Sequence, residues 1–468
     1  MVSVLLFLWY AFRINRLSFA AAVGFFLLTR SLALFFFSIP GPDQFFSNLL
    51  PLYFKSGFID PELAGHYAMP GFFLLIRIFS KVTGLPVKSI SAIYVPGLGS
   101  LIAISIFFAV RAKHIDAFWA VVSCSILAFV AIDYQFVPHL LGVGLITMLL
   151  WREVAVKDLT IGEMALRIVL LTGLAVTHAY LGFFYVGYLV VRSLYERSCI
   201  PRAVLAFLIA MGADVFVSAA GFFSSNVLLV LYSIPALLGL GEYNLSLAAT
   251  LVASSPFQPL SRLSILGAAL VSATGVLVMI KRRILTGREH ALIISGILFF
   301  AVGVAVPLIG LSSLQVDLIP AALGAGYVPL IIRNRRMRAL MLIFLALSSI
   351  FPVMHFYYDP QIQTQDDVTA AIFASSMLNT KAQYDLYSPY MLYGYFVFLW
   401  PAYQGEIRLT DNSTVHDFIA SRGSETDYIF FSYNVPIPQL DLDSRNYLNE
   451  RANIVLSYGN GALYYWVK

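Results

Sequence analysis

Residues 161–195 read IGEMALRIVLLTGLAVTHAYLGFFYVGYLVVRSLY, and they indicate the fold class. Two apolar segments of this stretch, 161–177 and 179–195, meet at His178. A membrane-spanning helix needs roughly 20 mostly apolar residues, and each segment comes close to that length. The stretch therefore predicts a membrane hairpin of two short helices with His178 at its turn.

Apolar segments of this kind recur through residues 1–356. The chain is 59% hydrophobic and only 12% charged, whereas a soluble chain is about 45–50% apolar with about a quarter of its residues charged. We predict an all-α polytopic membrane domain of about 11 transmembrane helices. The candidate spans are 17–38, 88–110, 115–132, 138–151, 161–177, 179–195, 203–222, 262–281, 290–310, 314–332 and 337–356.

Short basic clusters between the spans set the orientation, because Lys and Arg collect on the cytoplasmic side of membrane proteins. These clusters are Arg13/Arg16, Arg111/Lys113, Arg152/Lys157, Arg192/Arg197/Arg202, Lys281/Arg282/Arg283/Arg288 and Arg333/Arg335/Arg336/Arg338. They are too short and scattered to suggest a nucleic-acid partner. We expect a multi-pass plasma-membrane protein with a cytoplasmic N-terminus. Segment 69–84 fits this order as a short helix on the outer side; the alternative is a true crossing balanced by a missed one.

Residues 357–468 differ from the rest, with 6 of the 30 Lys/Arg, 12 of the 25 Asp/Glu and no long apolar run. Eleven crossings place them outside as an extracytoplasmic domain. Tyr428–Ser432 and Asn453–Ser457 are β-like, a helical window lies near Ser413–Arg422, and Asn460-Gly461 suggests a hairpin turn. We predict a small α/β or α+β domain.

Ionisable residues gather on the predicted outer side, around two large outer loops at 39–87 and 223–261. Such a residue within a span costs several kcal/mol unless it faces a cavity, a partner or the interface. Their clustering at one face therefore predicts a functional site there. The candidates are Arg30, Asp43, Asp60, Glu62, His66, Arg77, Lys81, Asp133, His139 and His178.

The chemistry of these candidates suggests three roles. Asp43 and Asp133 are candidate catalytic residues, with Asp43 as a general base that takes a proton from an acceptor. Asp60 and Glu62, two residues apart, would face the same side of an extended segment and could share a divalent ion such as magnesium or manganese. A second group of side chains could hold a phosphate: Arg30, Arg77 and Lys81. His66, His139 and His178 would line the site.

Each role has a structural alternative. Asp43 follows Pro40-Gly41-Pro42, so it could be a turn residue or a helix cap. Asp60-Pro61-Glu62 also suits a helix start. Arg77 and Lys81 could extend their charges to the membrane surface, and His178 could simply form a hydrogen bond between helices.

The order of these features resembles the polytopic C-type glycosyltransferases, which include protein O-mannosyltransferases, aminoarabinose transferases and oligosaccharyltransferase catalytic subunits. Arg30 lies late in the first span and Asp43 early in the first outer loop. A Pro-led helix from Pro70 to Gly84 closes that loop, Asp133 follows the fourth hydrophobic segment, and His178 lies in the next outer turn.

The resemblance implies a glycosyltransferase that moves a sugar from a polyprenyl (dolichyl) phosphate to a protein, lipid or glycan acceptor. It carries a base or metal-ligand role to Asp43, Asp60, Glu62 and Asp133, and a phosphate contact to Arg77 or Lys81. The chain departs from the pattern at Gln44 and Met69, where many relatives have a second acid and a second proline, and it lacks a Trp-Trp-Asp motif. Two other functions stay open: a transporter or lipid flippase, and a non-catalytic membrane scaffold whose outer domain binds partners.

We predict that residues 357–468 lie outside, because eleven crossings separate them from a cytoplasmic N-terminus. A single cysteine introduced at an exposed site of this domain should react with a membrane-impermeant thiol reagent in intact cells. Protection of that cysteine until the cells are broken would contradict the predicted topology.

Overall fold

The computed structural model describes residues 16–36, 70–85, 87–113, 115–128, 138–156, 160–218, 258–305, 318–332 and 334–352, together with five strands between 386 and 465. The described helices are α1 (Arg16–Phe36), α2 (Pro70–Thr83), α3 (Val87–Arg111), α4 (Ala117–Ala128), α5 (Pro138–Ala155), α6 (Ile161–Thr177), α7 (Ala179–Ser193), α8 (Ile200–Ser218), α9 (Gln258–Lys281), α10 (Gly287–Ala305), α11 (Leu318–Ile331) and α12 (Arg335–Ser348). A short 3₁₀ turn, Arg197–Cys199, precedes α8.

Each predicted span coincides with one of these helices, with ends that differ by a few residues. The hairpin prediction for residues 161–195 is confirmed, since α6 and α7 meet at His178. The remaining helix, α2, is the segment predicted to be a short outer helix. The number of membrane crossings stays a prediction.

The helices run between two ends of one bundle. At one end Phe19 of α1 contacts Phe107 of α3 with ring centroids 5.0 Å apart, and the neighbouring Phe108 stacks on Trp151 of α5 at 5.5 Å. We name this the arginine end, after Arg111, Arg152, Arg192 and Arg282. The opposite end is the histidine end, after His139 and His178. The described helices other than α2 alternate in direction between these two ends.

Helix α2 has both of its ends at the histidine end. Near its start the ring of Phe72 contacts that of Tyr94, in the first third of α3, at 5.7 Å. Three residues separate its last residue, Thr83, from Val87 at the start of α3. Gly84 in this link has φ +69°, a left-handed conformation that suits glycine and commonly ends a helix. α2 therefore does not run the length of the bundle, in agreement with the predicted short helix.

The outward faces of the peripheral helices are apolar. On α9 four leucines between 263 and 277 are more than half exposed, and α12 presents a similar face: Leu263, Leu266, Leu270, Leu277, then Leu340, Ile343, Phe344, Leu347. Soluble proteins rarely expose apolar surface on this scale, so these faces are suited to lipid.

By length and hydropathy alone, two helices of the described residues qualify as membrane spans: Ile93–Arg111 and Pro259–Lys281, with mean hydropathies of 2.1 and 2.3. Two such helices are weak evidence, because a buried helix of a soluble protein passes the same test. The membrane character therefore rests on the exposed apolar faces and on the composition.

The described strands near the C-terminus form one mixed sheet in the order β2-β1-β3-β5-β4. The strands are β1 (Leu386–Ser388), β2 (Ile407–Leu409), β3 (Tyr428–Ser432), β4 (Asn453–Tyr458) and β5 (Gly461–Tyr465). β1 lies parallel to β2 and β3, whereas β5 is antiparallel to β3 and β4.

The predicted strands over 428–432 and 453–457 are therefore confirmed, and so is the C-terminal hairpin. The predicted turn position is wrong by one residue, because Gly461 pairs with Tyr458 and Ser432 and so belongs to β5. The predicted helical window near Ser413–Arg422 lies outside the described residues. The choice between an α/β and an α+β domain thus stays a prediction, as does the domain boundary at 356/357.

Two glycines allow α9 and α11 to pack backbone against backbone. A Cβ added at Gly275 would overlap the carbonyl group of Gly324, and one added at Gly324 would overlap the carbonyl oxygen of Ser272. Backbone atoms cannot move aside as a flexible side chain can, so only glycine fits both positions.

We predict that Gly275→Ala destabilises the protein by roughly 1–3 kcal/mol or more, the usual cost of overpacking. Gly267→Ala in the same helix is the matched control, because a Cβ there meets nothing within 4 Å. Thermal unfolding in detergent should show a lower midpoint for Gly275→Ala alone. Equal midpoints for the two variants would contradict the close packing of α9 on α11.

Candidate functional site

The histidine end contains a hydrogen-bonded pair of histidines. His139 is the second residue of α5, after Pro138, and His178 is the single residue between α6 and α7. His139 Nδ1 and His178 Nε2 lie 2.6 Å apart, and the ring centroids are 4.5 Å apart. One nitrogen must donate and the other accept, so at least one of the two rings is neutral. His178 thus forms a hydrogen bond between helices, and its place in the lining of a functional site stays a prediction.

The backbone of His178 joins the two helices of the hairpin. Its N–H donates to the carbonyl of Leu174 at 2.6 Å and so ends α6. Its carbonyl accepts from the N–H groups of Leu181 and Gly182, at 3.1 and 3.2 Å, in the first turn of α7. The position of the ring is therefore fixed by both helices.

Gly142 lets α5 approach this turn closely. A Cβ at position 142 would lie 2.9 Å from the Cβ of His178 and 2.9 Å from a methyl carbon of Leu181. Real Cβ atoms essentially never come this close, so a side chain here would push α5 away from α7. The hydrogen bond between His139 and His178 depends on the close approach that Gly142 permits.

The first outer loop returns to the same place. α2 is the closing part of that loop and begins at Pro70, and its second residue Gly71 packs against Thr177, the neighbour of His178. A Cβ at Gly71 would lie 2.8 Å from Thr177 Oγ1 and 3.2 Å from Thr177 N. The end of the loop therefore lies beside the histidine pair.

The three candidate phosphate ligands all belong to helices that reach the histidine end. Arg77 and Lys81 lie four residues apart on α2, so they share one face of that helix. Arg77 is half-buried and Lys81 is exposed in the last turn. Arg30 lies in the half of α1 nearer the histidine end, and its side chain is outside the described residues. Their contact with a phosphate stays a prediction.

The remaining candidates lie outside the described residues: Asp43, Asp60, Glu62, His66 and Asp133. Their roles therefore stay predictions.

The histidine pair does not fit a metal site in this arrangement, because Nδ1 of His139 and Nε2 of His178 face each other in a hydrogen bond. Within the described residues no group of three or more His, Cys, Asp or Glu side chains could hold a metal ion. The predicted ligands Asp60 and Glu62 are not among those residues, so a metal bound by them stays a prediction.

Sequence reasoning missed a buried ionic network at the arginine end. Glu153, only 1% exposed, accepts from Arg167 at 2.6 Å, from Tyr185 at 2.8 Å, and from Arg192. Several of these arginines were interpreted as loop charges that mark the cytoplasmic side. A signal was present: Glu163 and Arg167 are four residues apart, as are Arg192 and Glu196, the spacing of helical ion pairs.

The chain matches no protein-family profile and no curated protein. Its structure is similar to that of ArnT from Cupriavidus metallidurans bound to undecaprenyl phosphate, with 13% identity, a TM-score of 0.41 and coverage of 96% of this chain and 97% of that one. It is also similar to an oligosaccharyltransferase from Archaeoglobus fulgidus with a tethered acceptor peptide (12%, 0.47, covering 84% and 66%). A third similar structure is the mycobacterial arabinofuranosyltransferase AftD (13%, 0.48, covering 97% and 40%).

These structures belong to the superfamily that the sequence resembles. This chain spans 66% of the oligosaccharyltransferase chain and 40% of the AftD chain. With TM-scores below 0.5 and identities near 13%, the similarity assigns no donor, acceptor or active-site residue to this chain.

We predict that cysteines placed at Gly71 and Thr177 form a disulfide, because the two backbones meet there and a disulfide needs Cβ atoms roughly 3.5–4.5 Å apart. The native Cys124 and Cys199 are first replaced by alanine. After mild oxidation, mass spectrometry should find the peptides around 71 and 177 cross-linked.

The matched control combines Gly71→Cys with Thr160→Cys, which lies before the opposite end of α6. A cross-link in the control pair, or none in the Gly71/Thr177 pair, would show that α2 does not begin beside the histidine pair.

Proposed function

We propose that the protein is an integral membrane glycosyltransferase that moves a sugar from a polyprenyl (dolichyl) phosphate to an acceptor at the outer membrane face. The observation that supports this most is the contact of Gly71 with Thr177. It puts the closing helix of the first large loop, with Arg77 and Lys81, at the end that holds His139 and His178. Of the ordered features that carry the resemblance, the closing helix and His178 therefore belong to segments that meet at one end of the bundle.

In the proposed reaction Asp43 takes the proton from the hydroxyl or amide of the acceptor. The acceptor atom then forms a bond to the anomeric carbon of the sugar, while the bond from that carbon to the phosphate oxygen breaks. The electron pair leaves with the lipid phosphate. Arg77 and Lys81 stabilise the growing negative charge on the phosphate, and the sugar configuration is inverted.

The histidine pair has a positioning role in this proposal. The hydrogen bond between His139 and His178 ties the start of α5 to the turn between α6 and α7. Asp133 precedes α5 in the sequence and is the second candidate base.

The proposal includes a membrane orientation and a metal. The arginine end faces the cytoplasm, eleven helices cross the membrane, and the C-terminal domain lies outside near a protein, lipid or glycan acceptor. A magnesium or manganese ion bound by Asp60 and Glu62 would neutralise phosphate charge.

A transporter or flippase is less well supported. Coupled transporters place ionisable groups near the middle of the bilayer. Among the side chains that the structure describes, the carboxylates all lie at or near helix ends at the arginine end, as Asp116, Glu153, Glu163, Glu196 and Glu289. Arginine or lysine pairs with four of them, and Asp116 accepts hydrogen bonds from the N-terminal turn of α4.

We predict that Asp43→Asn lowers the rate of sugar transfer ~100-fold or more, because the amide cannot accept the proton. The purified protein is incubated with a polyprenyl-phosphate sugar, and transfer to acceptor and binding of the donor lipid are measured separately. Donor binding should persist, since Asp43 acts only on the acceptor. Asp60→Asn and Glu62→Gln should instead raise the concentration of divalent ion required.

Asp116→Asn is the matched control, because this aspartate caps α4 at the arginine end. It should lower stability slightly and leave the transfer rate unchanged. If Asp43→Asn keeps near-normal turnover, Asp43 is only a cap of its loop. The base would then be Asp133 or one of the Asp60/Glu62 pair. Absence of transfer by the unmodified protein with every polyprenyl-phosphate sugar would favour the scaffold.

A further inference from the structure

The ionic network at the arginine end carries more positive than negative charge. Its ion pairs join five arginines to three glutamates: Arg152, Arg167, Arg192, Arg202 and Arg288, with Glu153, Glu163 and Glu196. Among the described side chains, the network therefore contains two more arginines than glutamates. Removing charge from water without compensation is costly, so an anion is expected nearby.

The excess charge lies at Arg202. Both carboxylate oxygens of Glu153 already accept hydrogen bonds, one from Arg167 and the other from Arg192. Arg202 comes only to 3.7 Å from Glu153, and its hydrogen bond within the described residues goes to Cys199 Sγ at 2.9 Å. A guanidinium has five N–H donors, so most of those of Arg202 are available to a ligand. The side chain is 22% exposed.

Arg202 and Arg167 both line a groove between α6, α7 and α8. The groove, together with the open solvent at its mouth, contains about 390 Å³. Its walls are otherwise mostly apolar, formed by Met164, Ile168, Leu171, Leu205, Ala206 and Ile209. Beyond the two arginines these walls extend to Leu171 on α6 and to Ile209 on α8, or about 6–10 Å away from the arginine end. The groove thus combines two arginines with an apolar surface that continues beyond them.

We infer that this groove binds one anionic membrane lipid, with the lipid phosphate at Arg202 and an acyl chain along the apolar walls. Arginine binds phosphate through charge-assisted hydrogen bonds, and basic pockets between membrane helices hold anionic headgroups. A free anion would make no use of the apolar walls. The site lies roughly 16 Å along α6 from His178, as eleven residues separate it from Arg167. It is therefore separate from the proposed donor site.

Native mass spectrometry of the full chain in a neutral detergent tests this site. The probes are phosphatidylglycerol and phosphatidylcholine with identical acyl chains. One phosphatidylglycerol molecule should bind about tenfold or more tightly than phosphatidylcholine, because only its headgroup is anionic overall. Arg202→Met should abolish this preference. Arg335→Met should keep it, since Arg335 is an exposed arginine at the same end, outside the network.

A second pair of variants tests the groove with every charge intact. Leu205→Trp fills the groove beside Arg202 and should weaken phosphatidylglycerol binding about tenfold. Leu208→Trp is the matched control, because Leu208 is exposed on the same helix and does not line the groove. These two leucine variants still test lipid binding in the groove if Arg202→Met fails to fold.

Three outcomes would overturn the inference. Equal binding of the two lipids would show that the groove does not select an anionic headgroup. Equal losses for Arg202→Met and Arg335→Met, or for Leu205→Trp and Leu208→Trp, would show general attraction to a basic surface. Full competition by excess inorganic phosphate would show a free-anion site without a lipid chain.

Discussion

The buried carboxylate of Glu153 is the interaction on which the helical arrangement depends most. It lies in the last turn of α5, and its partners come from three other helices: Arg167 of α6, Arg192 of α7 and Arg202 of α8. Breaking a buried ion pair by removing one partner typically costs ~3–5 kcal/mol, because a charge is left without compensation. Four helices are therefore held in one arrangement at the arginine end by a single side chain.

The network continues outward from Glu153 to the loop after α7. Burial raises the pKa of Glu196, but the hydrogen bond and charge of Arg192, followed by those of Arg288, outweigh burial and hold that pKa below its usual value. This contribution to stability is present above the unfolded pKa and is lost as pH falls through the folded pKa. Arg288 also donates to the carbonyl of Val156 at 2.9 Å, so α10 is tied to the same end.

The histidine end is held differently. There α5 meets the turn between α6 and α7 through the hydrogen bond between His139 and His178 and through the close contact that Gly142 permits. α2 reaches the same turn through the close contact of Gly71 with Thr177. Such contacts need shape complementarity more than charge.

The sequence was most informative where one physical rule dominates. Apolar length located all the described helices, since a membrane span leaves little choice of composition. His178 was predicted to lie at the turn because it separates two apolar segments, 161–177 and 179–195. The strands over 428–432 and 453–457 were predicted from their β-branched and aromatic residues, but the register at Gly461 depends on pairing with β3, which no local pattern contains.

The arginine-end network could not be derived in the same way, because a Lys/Arg cluster near a helix end serves equally as a topological signal and as a set of ion-pair partners. The i,i+4 spacing of Glu163 and Arg167 could have suggested one pair. The contacts of Glu153 with Arg192 and of Glu196 with Arg288 cross 39 and 92 residues of chain, so only the packing of the helices reveals them. Burial also explains why the two interpretations do not compete. Lys and Arg that prefer the cytoplasmic face during insertion can still pair with carboxylates at the same helix ends, so one cluster can serve both as a topological signal and as a set of ion-pair partners.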